Sequence, residues 1–250
     1  MKYLFSVGIL FLIITLALGK EQLSTVVHRL LAQSNYQEAR LLLEEHLRKN
    51  PDRSDYYILL SEVWCAEGKY SNAFRVIVKA YEYFPSNPYV AKELADVYRS
   101  LGEYKKALAL YRQGLPEIPE KHKPLWYYGM GVCYYELSEY DKALRFLQEA
   151  LKGKIAFWPL YYLGKTYLEQ ERFDEACWAF ERAELQLHFQ ATWATNLFYY
   201  AWGTARLEQA LRIRATNTLV ARSTFEALLH DNRFSDRRIR ERVEFWLKRL

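Results

Sequence analysis

Gly68-Lys69-Tyr70-Ser71-Asn72-Ala73, Gly102-Glu103-Tyr104-Lys105-Lys106-Ala107 and Ser138-Glu139-Tyr140-Asp141-Lys142-Ala143 are three copies of one pattern, an aromatic followed three residues on by Ala. The Ala-to-Ala steps are 34 and 36 residues. The same register continues forward to Arg172-Phe173-Asp174-Glu175-Ala176, a step of 33, and backward to Asn35-Tyr36-Gln37-Glu38-Ala39, a step of 34. A fixed period of this length marks supersecondary units that cannot bury their apolar face alone and therefore stack.

Each unit reads as two helices joined at the quoted string. Before it comes an apolar run with a small residue near its middle: Leu94-Ala95 then Tyr98, Met130-Gly131 then Tyr134, Leu163-Gly164 then Tyr167. After it, a bulky residue lies four past the Ala and a further residue three beyond: Ile77 and Ala80, Tyr111 and Gly114, Leu147 and Ala150, Phe180 and Ala183. Spacings of three and four place these on one helical face. Small residues are needed where two axes cross closely, so Ala39, Ala73, Ala107, Ala143 and Ala176 mark the crossing inside each pair. The aromatics at the turns (Tyr36, Tyr70, Tyr104, Tyr140, Phe173) are expected to cap that contact. Pro51, Pro85 and Pro119 are expected to end the second helices, because Pro cannot continue one.

This pattern resembles the tetratricopeptide repeat family over about residues 20–186. Val27 and His46 stand where the family usually has small residues, and the fourth unit lacks the terminal Pro. The resemblance implies an all-α, right-handed α-solenoid of about six helical hairpins with a concave groove, closed by a C-terminal capping helix. Residues 187–250 read as a divergent sixth hairpin plus that cap. Asn196–Leu211 (with Tyr199, Trp202, Gly203 and Leu207) forms its first helix and Val220–Leu228 its second, the step from Ala176 to Ala221 being 45. Ser235 suits an N-cap for a final helix, Asp236–Leu250.

Composition fits that reading. Of 250 residues 51% are hydrophobic and only 10 are Gly and 7 Pro, which suits a helical core rather than disorder. Net charge is +5 with both signs interspersed, so no concentrated basic stripe points to nucleic acid. Cys65, Cys133 and Cys177 are odd in number and far apart, and are expected to be buried, unpaired apolar residues rather than a disulfide framework. His28, His46, His122, His188 and His230 show no metal-ligand spacing to them. There is no glycine-rich phosphate loop or nucleophile elbow, so no catalytic residue, metal or cofactor is expected.

Met1-Lys2, the 16-residue uncharged run Tyr3–Leu18 and the small residues of Ala17-Leu18-Gly19 have the order of a secretory signal, residues 1–19. The run falls short of the ~20 residues that span a bilayer comfortably, leaving an uncleaved anchor as the alternative and membrane association through this segment with it. The protein is therefore expected to be exported, to the periplasm or cell envelope.

Family ligands lie against the first helices of each hairpin. Carried over in register, the groove holds Tyr89, Lys92, Asp96 and Arg99 in the third unit, Tyr128 and Tyr135 in the fourth, and Trp158, Tyr161, Tyr162 and Lys165 in the fifth. The carboxylate clamp of one family branch is absent: its positions read Ser24 and His28, Ile58 and Glu62, Lys92 and Asp96. What remains is an aromatic and cationic groove, in which Tyr and Trp supply contact area and Lys92, Arg99 and Lys165 face acidic ligand groups. The expected partner is a protein or peptide. The same aromatics could instead pack between neighbouring first helices, and the charges could simply face solvent. The final helix, with Arg237, Arg238, Arg240 and Arg242, reads as a cap or as a surface for an anionic membrane. The alternative function is an assembly subunit of an envelope complex, docked through that helix or the outer face.

Overall fold

A computed structural model of the chain describes residues 22–153, 157–187 and 192–250. The expected signal segment, residues 1–19, lies outside them, as does His188. Thirteen α-helices and no strand occur among the described residues, in hairpins as the period requires. They fall into two compact units divided between Glu117 and Ile118.

The first unit holds α1 (Leu23–Ala32), α2 (Tyr36–Lys49), α3 (Ser54–Ala66), α4 (Tyr70–Tyr83), α5 (Pro88–Ser100) and α6 (Tyr104–Gly114). The second holds α7 (Lys123–Glu136), α8 (Tyr140–Ala150), α9 (Phe157–Glu169), α10 (Phe173–Glu184), α11 (Thr192–Arg214), α12 (Thr218–His230) and α13 (Arg237–Leu247). Within each unit the first helices of successive hairpins touch in a row, α1–α3–α5 and α7–α9–α11, and each second helix packs on the first helices beside it.

The repeat alanines sit where the spacing puts them. Ala39, Ala73, Ala107, Ala143, Ala176 and Ala221 are all 0% exposed. Their partners four residues on, Leu43, Ile77, Tyr111, Leu147, Phe180 and Phe225, are equally inaccessible. The small residues of the first helices explain the closeness. A Cβ on Gly131 would fall 2.7 Å from Leu147 Cγ, and one on Gly203 2.5 Å from Ile239 Cδ1. The turn aromatics do less than expected: Tyr70 is 39% exposed, and the other four are half-buried at the first position of their helices.

The turns between paired helices share one backbone device. Ser34, Gly68, Gly102, Ser138 and Glu171 all take the left-handed conformation, with φ of 59, 77, 80, 58 and 58°. This lets the next residue's N–H reach back to the last helical turn: Lys69 to Trp64 O at 2.9 Å, Glu103 to Tyr98 O at 2.8 Å, Arg172 to Tyr167 O at 2.9 Å. Otherwise orphaned helix carbonyls are thereby satisfied. The sixth turn, Ala215-Thr216-Asn217, has no such residue, and Asn217 instead caps α12 by accepting from the Val220 N–H.

Three boundaries differ from the sequence expectation. α6 stops at Gly114, ahead of Pro119, because Leu115–Glu117 (which includes Pro116) tightens into a 3₁₀ turn. The cap of α13 is Asp236, whose carboxylate accepts from the Arg238 N–H, and not Ser235, so the helix runs Arg237–Leu247. α11 begins earlier and ends later than Asn196–Leu211. Cys133 and Cys177 are buried but Cys65 is only half-buried; none of the three forms a disulfide among the described residues. Burial pushes the Cys65 and Cys177 thiols up to about 12, so neither is a ready thiolate.

Candidate binding surfaces on the first helices

In the first unit the expected residues of α5 form a closed electrostatic network. Asp96 receives the Lys92 ammonium at 2.5 Å, the Arg99 guanidinium at 3.0 Å and the Tyr111 hydroxyl of α6 at 2.5 Å. Burial alone would raise the Asp96 carboxyl, but the two cations and the two donors hold it well below the usual carboxylate range. Lys92 is raised: burial opposes its charge, and the Asp96 and Glu93 carboxylates outweigh that. The spacing Lys92, Asp96, Arg99 is the i, i+4 and i, i+3 geometry of helical ion pairs, so the pairing was readable within the helix; Tyr111, from another helix, was not. These cations therefore face an acid of their own chain.

Beside that network lie two further carboxyls. Glu93 is 5% exposed, and burial pushes it up to about 8. Glu62 on α3 is likewise raised by burial, with His28 Nε2 of α1 at 3.6 Å. Tyr89, at the start of α5, is 37% exposed on the same helical face; its N–H donates to the Asn87 cap at 2.9 Å.

The second unit differs. Tyr128 and Tyr135, seven residues apart on α7, face α9. Their rings meet Tyr162 edge-on, with centroids 6.1 and 5.6 Å away. Lys165, three residues beyond Tyr162, places its ammonium 4.5 Å from the Tyr135 ring centre, 5.2 Å from Tyr162 and 5.7 Å from Tyr161. No described carboxylate lies within ion-pair reach of it. Burial lowers the Lys165 ammonium, only partly opposed by the more distant Glu136 and Glu169. Glu169 instead accepts a weak 3.4 Å hydrogen bond from the Tyr135 hydroxyl. Thr166, fully buried, donates back to Tyr162 O at 2.6 Å and fixes the local turn of α9.

Tyr161 belongs to the core rather than to the surface. It is 8% exposed and packs on Phe157, Phe180 and Phe198, with centroids 6.2 to 6.4 Å away. Burial raises its hydroxyl to about 12. Trp158 stands half-buried against Phe157 and Tyr161. The half-buried members of the cluster, which reach the surface, are thus Tyr128, Tyr135, Trp158, Tyr162 and Lys165.

The final helix is engaged with its own unit. Ile239 and Val243 are buried, Arg242 pairs with Glu208 at 2.5 Å, and the Arg238 guanidinium lies 3.9 Å from the Tyr200 ring centre. Among the described residues no helix is long and apolar enough to cross a membrane.

Comparison with known proteins places these hairpins. Residues 27–83 match the family described as Tetratricopeptide repeat, and residues 66–150 match Anaphase-promoting complex, cyclosome, subunit 3. Pre-mRNA-splicing factor 6 of Saccharomyces cerevisiae is 26% identical over 114 residues, 46% of this chain; the match spans only 12% of that protein. The crystal structure of TTC0263, a tetratricopeptide protein of Thermus thermophilus, superposes with a TM-score of 0.61 at 20% identity, over 72% of this chain and 96% of that one. The Cut9–Hcn1 hetero-tetramer of the anaphase-promoting complex gives 0.70 at 17% identity, over 95% of this chain and 45% of that one. At such identities the structural likeness speaks for the fold alone. Repeat register, buried alanines and the match over residues 27–83 agree: the chain is built from hairpins of the tetratricopeptide-repeat type.

Proposed function

We propose that this chain is an interaction scaffold that holds a segment of a partner protein against α7 and α9. Proteins of this repeat family serve as protein–protein interaction scaffolds and assembly subunits. The observation that carries the specific reading is Lys165, a partly desolvated ammonium bordered by three tyrosine rings and unmatched by any nearby carboxylate. The rings orient the cation and cover its stem, and an incoming carboxylate would complete its coordination. Tyr128, Trp158 and Tyr162 offer half-buried apolar area around it, each ring ending in a polar tip. At Lys92 and Arg99 the matching acid is already supplied by Asp96, so that region contributes shape and hydrogen bonding more than charge.

The test uses the purified full chain as bait in envelope extract, with crosslinking and mass spectrometry, beside a Tyr128→Ala/Tyr162→Ala/Lys165→Met variant. The variant is expected to lose partners that wild type retains. Equal capture by both proteins would exclude this surface.

A second reading, an assembly subunit docked through its C-terminal helix, is favoured by Phe245, which is 47% exposed beside Trp246 on α13. Phe245→Glu should then release the chain from a larger complex without unfolding it. Co-purification unchanged by that substitution would dismiss it.

Export is part of the proposal, supported by the order of residues 1–19. A mature protein beginning at Lys20 supports cleavage, whereas Met1 retained in the membrane fraction supports an anchor.

A further inference from the structure

The second helices carry a feature outside the surface discussed above. In the first unit α2 and α4 both pack on α3 and leave a ridge of α3 between them, forming a cleft of about 610 Å³. Its floor is Tyr57, Leu60 and Trp64, at i, i+3 and i+7 on α3. Tyr57 and Leu60 are nearly inaccessible, while Trp64 is half-buried, with the Arg40 guanidinium 4.3 Å from its ring centre. The floor rises roughly 10 Å, about two helical turns of a bound segment.

The rim is cationic. Arg48 of α2 and Arg75 and Lys79 of α4 line it, against one carboxylate, Glu44. None of the three cations makes an ion pair with a described carboxylate; Lys79 lies only loosely over the Tyr83 ring, 5.7 Å from its centre. Other cations of the same unit do find acids: Arg40 pairs with Glu67, Lys49 with Glu45, Arg53 with Asp55. One period on, the positions of Arg48, Arg75 and Lys79 are held by Glu82, Ala109 and Gln113, and the Tyr81 hydroxyl reaches across to Gln113 at 3.5 Å. The basic rim is thus not a consequence of the repeat.

We propose that this cleft is a second docking site, taking a short acidic amphipathic peptide whose apolar side chains seat on the Tyr57–Leu60–Trp64 floor and whose carboxylates meet Arg48, Arg75 and Lys79. Charge complementarity selects the partner: three cations against one acid favour an anionic segment, and guanidinium groups suit carboxylates bidentately. The aliphatic walls, Leu47 and Val76, favour an apolar anchor over stacked bases.

The test is fluorescence anisotropy with the full chain. The probe is a labelled helical peptide carrying Glu on one face and Leu and Phe at i, i+3 and i+4 on the other. Wild type should bind, more weakly as salt rises. Arg48→Glu/Arg75→Glu/Lys79→Glu, all at exposed positions, should weaken binding at least about tenfold, whereas Arg222→Glu, exposed on α12, should leave it unchanged. A peptide with Leu and Phe replaced by Ser should bind at least about fivefold more weakly. The proposal is overturned if wild type does not bind, if the charge-reversed variant binds equally, or if the Ser peptide binds as well. Loss on Lys165→Met instead would move the peptide to α9, and a single-stranded oligonucleotide that competes equally would reassign the rim to nucleic acid; either result also overturns it.

Discussion

The Cβ that Gly164 lacks would fall 2.7 Å from Cε1 of Phe180. Gly164 lies at the centre of α9 and Phe180, fully buried, at the centre of α10, so the absent methyl sets how closely the two axes approach. In an isolated helix Ala is favoured over Gly by about 1 kcal/mol. Here the clash dominates, because the Phe180 ring is held on all sides and cannot yield without moving its neighbours. Gly164→Ala is expected to destabilise the protein by about 1–2 kcal/mol net in urea unfolding, and Phe180→Leu in that background should recover part of the loss. Stability unchanged or raised by Gly164→Ala would mean the helices are not packed this tightly.

The left-handed turn residues make a pair of predictions of opposite sign. Gly102 has φ of 80°, where an L side chain is strained, so Gly102→Ala should cost about 1 kcal/mol although a Cβ there meets nothing within 4 Å. Glu171 takes φ of 58° with a side chain in place. Glu171→Gly should relieve about 1 kcal/mol of strain, offset in part by the greater freedom of Gly in the unfolded chain, for a gain of a few tenths. Thermal melts of the two variants should move in opposite directions.

The repeat alanines and their bulky partners were legible because both lie within one period and their burial follows from helical spacing alone. Ala73, Ala107 and Ala143 could hardly be elsewhere once the register was set. Helix ends were less so: Asp236 and Ser235 are both competent caps, and only the backbone at Asp236 decides between them. Where the expected groove residues stand along their helices was legible; what each of them touches was not. Lys92, Asp96 and Arg99 stand at the spacing of helical ion pairs, but the Tyr111 hydroxyl that also reaches Asp96 comes from the next helix. Tyr161 and Tyr162 are adjacent in sequence and cannot share a helical face; one enters the core and the other the surface, and neighbouring helices determine which. The cleft at Trp64 lies between second helices, where the family resemblance directed no attention.

Glu93 predicts a dependence on pH. Its carboxyl, buried in α5, is raised by burial to about 8 from its ordinary value near 4.5. The native state therefore holds this proton where the unfolded chain has released it. Stability from this group is fully present below about pH 4.5 and is lost as pH rises to about 8, with a ceiling of about 5 kcal/mol. Asp96 acts with the opposite sign, but only in acid, since its carboxyl is depressed. Glu93→Gln, which keeps shape and removes the titration, should flatten the fall between pH 5 and 8 and be more stable than wild type at pH 8. Parallel slopes for the two proteins in urea unfolding across that range would show that Glu93 ionises freely in the native state.

Lys165 separates binding from stability. Its ammonium is desolvated, which opposes folding, and it gains cation–π attraction from Tyr135, Tyr161 and Tyr162, typically about 0.5–2 kcal/mol at such sites. With no carboxylate partner to orphan, its removal leaves no uncompensated charge behind. Lys165→Met preserves the length of the side chain and its contact with the rings, so stability is expected to stay within about 1 kcal/mol of wild type. A ligand carboxylate held by the ammonium would lose its counter-charge, and affinity for a partner captured by wild type should fall at least about tenfold. Urea unfolding and partner titration on the same preparation read the two effects independently. A variant that loses stability and affinity together would make Lys165 a structural residue, and unchanged affinity would take the bound segment away from α9.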